Sequence, residues 1–262
     1  LSWIKRNIPD EAHCIVTDIT SAEAVFSLMG PKSRSLLEAI TPEELSNEKF
    51  PFGTAKEIEI GMGLARAHRI SYVGELGWEL YIPTDMAKHV FDTIIQNGSD
   101  KGLQLCGMHV LDSCRLEKAY RHFGHDITDE DHVLEAGLGF CVKLNKPIDK
   151  FGHFIGRDAV LAKKDRGLER RLLQFKLRDS MPLLYHNETI YRDGTSVGRI
   201  TSGGFGHYLG ASVGLGYVPC QRGETAEQLL NSNYEIDIAG TRVKADASFR
   251  PFYDPLNEKV KL

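Results

Sequence analysis

Six short β-like segments follow one another at close spacing in the last third of the chain, and they constrain the fold more than any other feature. Turn signals separate them, including Asp193-Gly194 and Ala239-Gly240. Short strands at such intervals are typical of a small antiparallel barrel or sandwich. We therefore expect residues 166–262 to form an antiparallel β domain, either a small barrel or a sandwich. The segments are residues 172–177, 189–192, 196–201, 212–218, 234–238 and 241–245.

The chain before this region mixes strand and helix patterns, which predicts an α+β class. The helix at residues 105–120 would place Leu105, Met108, Leu111 and Cys114 near one face. A helical connection at residues 156–164 then leads into this β domain, so we predict one α+β region at residues 1–165 and a second domain at 166–262. The other expected strands are residues 13–18, 24–29, 54–60, 64–72 and 77–82, and the other expected helices are 32–40 and 85–98.

Bulk composition excludes several classes of protein. The chain has 262 residues, of which 42% are hydrophobic and 26% charged, so it can bury a substantial core. Its net charge of -4 argues against a nucleic-acid-binding protein. No apolar run approaches the ~18 residues of a membrane span, so no membrane partner is expected. Five cysteines without a CxxC pair are typical of a reducing compartment, the cytoplasm or the mitochondrial matrix.

The segment RISYVGELGWELYIP, residues 69–83, carries the most informative pattern of polar residues. On its second strand Trp78, Leu80 and Ile82 share one face by period 2, while Glu79 and Tyr81 share the other. A carboxylate beside an aromatic ring can bind a flat heterocycle, because it accepts two parallel hydrogen bonds while the ring stacks. An exposed Glu on a half-solvated strand is the alternative interpretation.

Other clusters of charged residues favour structural interpretations. In DSCRLEKAYRHFGHDI, residues 112–127, Asp112–Arg115 and Glu117–Arg121 have the spacing of ion pairs on a helix surface. The basic run Lys163, Lys164, Arg166, Arg170 and Arg171 is interrupted by acids and reads as a solvated helix-to-strand connection. The histidines have no metal-site spacing, and the Gly-x-Gly elements do not follow a strand as a dinucleotide site requires.

Several long motifs, in order, resemble the folate-binding T-protein family of aminomethyltransferases. The similarity is greatest to the C-terminal tetrahydrofolate module of dimethylglycine and sarcosine dehydrogenases, and it runs from about residue 18 to residue 254. It implies a T-protein-like multi-domain cloverleaf, incomplete at the N-terminus, with an antiparallel sheet, helices and the small C-terminal β-barrel. The runs that carry it are RISYVGELGWELY, DSCRLEKAYRHFGHDI, LEAGLGFCVKLNKP, FIGRDAV and ITSGGFGHYLGASVGLGYVP.

The resemblance also implies a set of cofactor-binding residues. Tyr72, Glu79, Leu80, Tyr81 and Phe140 would contribute to a tetrahydrofolate pocket, with Glu79 on the pterin edge. At the position of Phe140 the dehydrogenase group often has Tyr, so here the ring is kept and the hydroxyl is lost. The catalytic residue is unknown, since the family's catalytic Asp lies upstream of this chain.

The family transferases carry an Arg one helical turn before the position of Arg115. Leu111 stands there in this chain, and dehydrogenase-type members also have an apolar residue at that place. This departure favours the dehydrogenase type.

The resemblance predicts a one-carbon transfer module that captures the carbon of an N-methyl amine, such as dimethylglycine or sarcosine, as 5,10-methylenetetrahydrofolate. FAD would bind only in an upstream domain of the same parent chain, if one is present. Two alternatives stay open: a stand-alone aminomethyltransferase or related demethylase, and a non-catalytic regulatory subunit of the same fold. We expect the chain by itself to lack transferase activity.

Overall fold

The computed structural model describes residues 1–147 and 152–262, which divide into two compact units. The first unit comprises Leu1–Ser71, Glu75–Leu105 and Glu258–Leu262, and the second comprises Tyr72–Gly74 and Cys106–Asn257. The predicted α+β class is confirmed. The domain boundary expected at residues 165/166 stays a prediction.

A four-stranded antiparallel sheet forms the centre of the first unit, in the order β1-β4-β3-β2. The strands alternate apolar and polar residues, so one face is buried and the other is open. The strands are β1 Glu23–Met29, β2 Ala55–Ile60, β3 Gly63–His68 and β4 Gly77–Pro83, and the α-helices are α1 Ser2–Arg6, α2 Ser33–Glu38 and α3 Thr84–Gly98.

The buried face of this sheet packs into a hydrophobic core. Trp78, Leu80 and Ile82 of β4 are fully buried there, which confirms the predicted period of this strand. Helix α3 contributes Val90 and Ile94 to the same core. Because this face is covered, the side chains on the opposite face of β4 are the ones left accessible.

The strand expected at residues 13–18 is wrong, since the structure has no strand there. Ile15, at the centre of this segment, is 82% exposed. An apolar and β-branched run forms a strand only when a neighbouring strand offers hydrogen bonds, and no pairing involves these residues in the described chain.

A closed antiparallel barrel forms most of the second unit, in the order β10-β5-β8-β7-β6-β9. The predicted barrel is therefore confirmed. Its interior is filled by Phe175, Ile190, Ile236 and their neighbours. The strands are β5 Arg170–Leu177, β6 Thr189–Arg192, β7 Thr195–Gly206, β8 Ala211–Pro219, β9 Tyr234–Ile238 and β10 Thr241–Ser248, and the α-helices of this unit are α4 Met108–Glu117, α5 Arg157–Arg166 and α6 Ala226–Leu230.

Helix α4 packs on β7 and β8 with a face other than the expected one. Leu105 precedes the helix and is 75% exposed, and Met108 is 74% exposed. The residues buried at the end of α4 are Arg115, Leu116 and Glu117. The expected face was wrong because Arg115 and Glu117 are buried against partners that are distant in the sequence. The helical period of the apolar residues does not reveal these partners.

Candidate functional site

Two polar side chains stand side by side on the open face of the first unit's sheet. Tyr81 donates its hydroxyl to Glu79 Oε2 at 3.1 Å. Both residues are half-buried on β4. The predicted common face of these residues is thus observed. The hydrogen bond fixes the carboxylate beside the aromatic ring and leaves Oε1 and the remaining lone pairs of Oε2 to accept further donors.

The neighbouring strand adds two basic side chains to this face. His68 lies opposite Glu79 and Arg66 opposite Tyr81 in the register of β3 and β4. The His68 ring centre lies 4.7 Å from that of Tyr81, and the Arg66 guanidinium lies 5.1 Å from the same ring centre. Arg66 also pairs with Glu23 of β1 at 2.9 Å. These contacts hold the Tyr81 ring in place.

Arg66 and His68 are two residues of this face that the sequence motifs did not indicate. Their signal was present in β3, where they alternate with the buried residues Ala65 and Ala67. That alternation places them on the open face, but only the register of β3 against β4 places them beside Glu79 and Tyr81.

The surroundings of Tyr81 favour its neutral hydroxyl. Burial raises the pKa of Tyr81, and the hydrogen bond to Glu79 and the negative charge of that carboxylate raise it further. The hydroxyl therefore stays protonated at neutral pH and remains a hydrogen-bond donor to Glu79.

Leu80 is placed differently from Glu79 and Tyr81. Its side chain is fully buried in the core on the opposite face of β4. We therefore expect Leu80 to support the site by packing beneath Glu79 and Tyr81 rather than to touch a ligand on the open face.

Tyr72 belongs to the second unit, where both its hydroxyl and its ring face are in contact with neighbouring residues. Its hydroxyl donates to the Arg121 carbonyl oxygen at 2.9 Å, and its ring stacks on Tyr120 with centres 5.9 Å apart. Burial raises the pKa of Tyr72. Arg121 itself is anchored through a bond to the Ala136 carbonyl oxygen at 3.0 Å. The Tyr72 ring is therefore held in one orientation within the second unit.

Phe140 also belongs to the second unit. It lies in a short 3-10 turn, Gly139–Cys141, and is 75% exposed. A large apolar ring so exposed is available to a binding partner. Its predicted role in cofactor binding stays a prediction.

The charged residues of α4 form buried networks rather than pairs on the helix surface. The expected Asp112–Arg115 pair is present at 2.6 Å, but Arg115 is buried and also pairs with Asp126 at 2.6 Å. The expected Glu117–Arg121 pair is wrong. Glu117 Oε1 instead accepts the backbone N–H groups of Tyr208 and Leu209 at 2.8 and 2.9 Å.

Neither a metal-ligand cluster nor a membrane-spanning helix occurs among residues 1–147 and 152–262. No group of three or more His, Cys, Asp or Glu side chains there is arranged to hold a metal ion. None of the helices in the same residues has the length and apolar character needed to span a membrane.

The chain combines a helix-backed sheet that carries a carboxylate–tyrosine pair with a closed six-stranded barrel. Two family models match the chain: the GCVT N-terminal domain over residues 1–146 and the glycine cleavage T-protein C-terminal barrel domain over residues 170–254. The chain belongs to the glycine cleavage T-protein family. This confirms the resemblance seen in the sequence motifs.

Similar proteins support the same assignment. The chain is 42% identical to a 4-methylaminobutanoate oxidase (formaldehyde-forming) of Paenarthrobacter nicotinovorans, over 99% of this chain and 30% of that protein. It is 34% identical to the mitochondrial sarcosine dehydrogenase of Homo sapiens, over 96% of this chain and 27% of that protein. The chain therefore spans less than a third of either relative.

A solved structure shares the fold. The glycine cleavage system aminomethyltransferase T from Bartonella henselae matches with a TM-score of 0.74 and 24% identity, covering 89% of this chain and 60% of that one.

Proposed function

We propose that this chain binds tetrahydrofolate and serves as the one-carbon acceptor module for an N-methyl amine. The observation that carries the proposal is the Glu79–Tyr81 pair on the open face of the sheet, joined by a 3.1 Å hydrogen bond. A carboxylate fixed beside an aromatic ring matches a flat heterocycle that offers an N–H and an adjacent amino group.

The residues of this face fit the pterin end of such a ligand. Glu79 is held by Tyr81, and Tyr81 is held in turn by His68 and Arg66. The carboxylate is therefore oriented before the ligand arrives, which lowers the entropy lost on binding. Glu79 would accept the N–H and amino groups of the pterin edge, and the Tyr81 ring would pack against its face.

Tyr72 and Phe140 supply further aromatic surface in the second unit. Tyr72 is rigid, because Tyr120 and Arg121 hold it, whereas Phe140 is exposed. We propose that both rings contact the ligand. Tetrahydrofolate, when bound, supplies the amine nitrogens that take up a one-carbon unit, and the role of these side chains is to orient it and exclude water.

The substrate class follows from what the similar proteins are named for. The oxidase is named for 4-methylaminobutanoate and the dehydrogenase for sarcosine, and both compounds are N-methyl amines. We propose that the carbon comes from such an amine, with 5,10-methylenetetrahydrofolate as the product. Because the chain spans 30% or less of these relatives, we also propose a flavin domain upstream in the same parent polypeptide as the oxidising partner.

The experiment is a calorimetric titration of the chain with tetrahydrofolate. Glu79→Gln keeps the shape of the side chain but cannot accept two parallel hydrogen bonds, so we expect affinity to fall about 10- to 150-fold, the equivalent of roughly 1.5–3 kcal/mol. Glu59→Gln is the matched control, because Glu59 is an exposed carboxylate on β2 of the same sheet. Equal affinities for the two variants would contradict the proposal.

A further inference from the structure

A cavity of about 680 Å³ lies in the second unit, among the loop after Gly139, helix α5 and the start of β5. It is large enough for a metabolite-sized ligand, since small-molecule sites occupy roughly 300–1,000 Å³. Its described lining contains four cations and no carboxylate. The lining residues are Leu134, Gly139, Val142, Lys143, Leu144, Asn145, Lys146, Lys164, Leu168 and Arg171.

The basic run that the sequence analysis interpreted as a solvated connection is divided in two by the fold. Lys163 and Arg170 point to carboxylates: Lys163 lies 2.9 Å from Glu135, and Arg170 lies 2.7 Å from Asp131. Their neighbours Lys164 and Arg171 line the cavity. This division concentrates the unbalanced charge on the cavity side.

Three of the four cavity cations have no ion-pair partner within residues 1–147 and 152–262. In the described part of the chain, Lys143, Lys164 and Arg171 form no ion pair with a carboxylate. Arg171 is held instead by the Phe249 ring, with its guanidinium 4.3 Å from the ring centre. A cation over an aromatic face keeps its charge and is restricted in its rotamers, so Arg171 is positioned for an anion.

The apolar part of the lining offers a second kind of contact to a ligand. Leu134, Val142, Leu144 and Leu168 interleave with the basic side chains. These apolar side chains can pack against the non-polar part of a ligand, whereas Lys143 and Lys164 are exposed and attract an anion through a field that water and salt screen.

We propose that this cavity binds a small polyanion, a molecule that carries several phosphate or carboxylate groups. Lys143, Lys164 and Arg171 contact the anionic groups, and the leucines and Val142 pack against the rest of the ligand. The proposal rests on the lining of this cavity and not on the proposed folate binding.

The test is a calorimetric titration of the chain at low salt with two probes, tripolyphosphate and citrate, which distinguish a phosphate from a carboxylate ligand. We expect at least one of them to bind, and binding to weaken as salt rises, since screening acts over about 10 Å at 0.1 M. The double variant Lys143→Gln/Lys164→Gln is expected to lose roughly tenfold in affinity.

Arg166→Gln is the matched control. Arg166 lies on the same helix and is exposed, but it does not line the cavity, so this variant should bind like the unaltered chain. The probe that binds more tightly identifies the class of anion. The proposal is overturned if neither probe binds at millimolar concentration, or if Arg166→Gln loses as much affinity as the double variant.

Discussion

At the scale of single residues, the second unit depends on charges that are removed from water. The side chains of Arg115 and Asp126 are 1% and 0% exposed and lie 2.6 Å apart. Asp126 also accepts the backbone N–H of His122 at 2.9 Å and the hydroxyl of Thr201. Every one of these contacts helps to compensate the loss of hydration, so the residues stabilise the fold only as a set.

Removing one member of this set should therefore be costly. We expect Asp126→Ala to lower the free energy of unfolding by about 3–5 kcal/mol, because it leaves the buried Arg115 without its main partner. Urea denaturation followed by circular dichroism measures the change. The control Asp129→Ala removes an exposed carboxylate close by and should change stability by no more than about 0.5 kcal/mol. If both variants lose similar free energy of unfolding, the buried ion pair contributes no more to stability than an exposed carboxylate does.

A second residue-scale prediction concerns pH. A hydrogen bond from Arg192 lowers the pKa of Glu224, although burial partly opposes the shift. A carboxyl whose pKa is lower in the folded state stabilises the protein above its unfolded pKa and loses that effect as pH falls through the folded value. Glu224→Gln should thus be less stable than the unaltered chain at pH 7. The difference in stability between the two should shrink as the pH falls below 4.5, the ordinary pKa of a glutamate. Thermal melts from pH 7 to 3 measure this difference in stability. A difference that stays constant over the range would contradict the prediction.

At the scale of elements, local signals predicted short strands of the barrel better than they predicted helix α4. The predicted strands at residues 189–192 and 234–238 match β6 and β9, because alternation and turn residues lie within a few positions of each strand. The helix expected at 105–120 is shorter, from Met108 to Glu117, and Ala119 beyond it adopts a positive φ of 54°. The C-terminal end of this helix depends on contacts that are distant in the sequence, including the hydrogen bond from the Tyr253 backbone N–H to the Glu117 carbonyl oxygen. The local sequence does not show these contacts.

Strand β7 provides an element-scale test at a glycine. A Cβ at Gly203 would lie 2.7 Å from the Leu184 Cβ and 2.8 Å from the Tyr185 carbonyl oxygen. We expect Gly203→Ala to destabilise the barrel by about 1–3 kcal/mol, since the chain segments must separate. Gly107→Ala meets no atom within 4 Å and should cost at most about 1 kcal/mol. Chemical denaturation of both variants measures the difference in stability. If Gly203→Ala leaves the stability unchanged, the contact of Gly203 with Leu184 and Tyr185 has room for a methyl group and the prediction is wrong.

At the scale of the whole molecule, the motifs led to the family, and the strand period led to the candidate site. Period 2 along β4 was enough to place Glu79 and Tyr81 together. It could not place His68 and Arg66 beside them, because cross-strand neighbours follow from the register of two strands. The buried side chain of Leu80 shows the opposite case, since a family match names a position without saying which way its side chain points.

The most direct test of the central claim is a double-mutant cycle between Glu79 and the ligand. Affinities are measured for tetrahydrofolate and for an analogue without the pterin 2-amino group, with the unaltered chain and with Glu79→Ala, which removes both acceptor oxygens. If Glu79 accepts that amino group, the two changes remove the same interaction and their effects are not additive. We expect the analogue to bind the unaltered chain at least roughly fivefold more weakly than tetrahydrofolate does. The two ligands should bind Glu79→Ala about equally well, which is a coupling of about 1 kcal/mol. Strictly additive losses would contradict the assignment of Glu79 to the pterin edge.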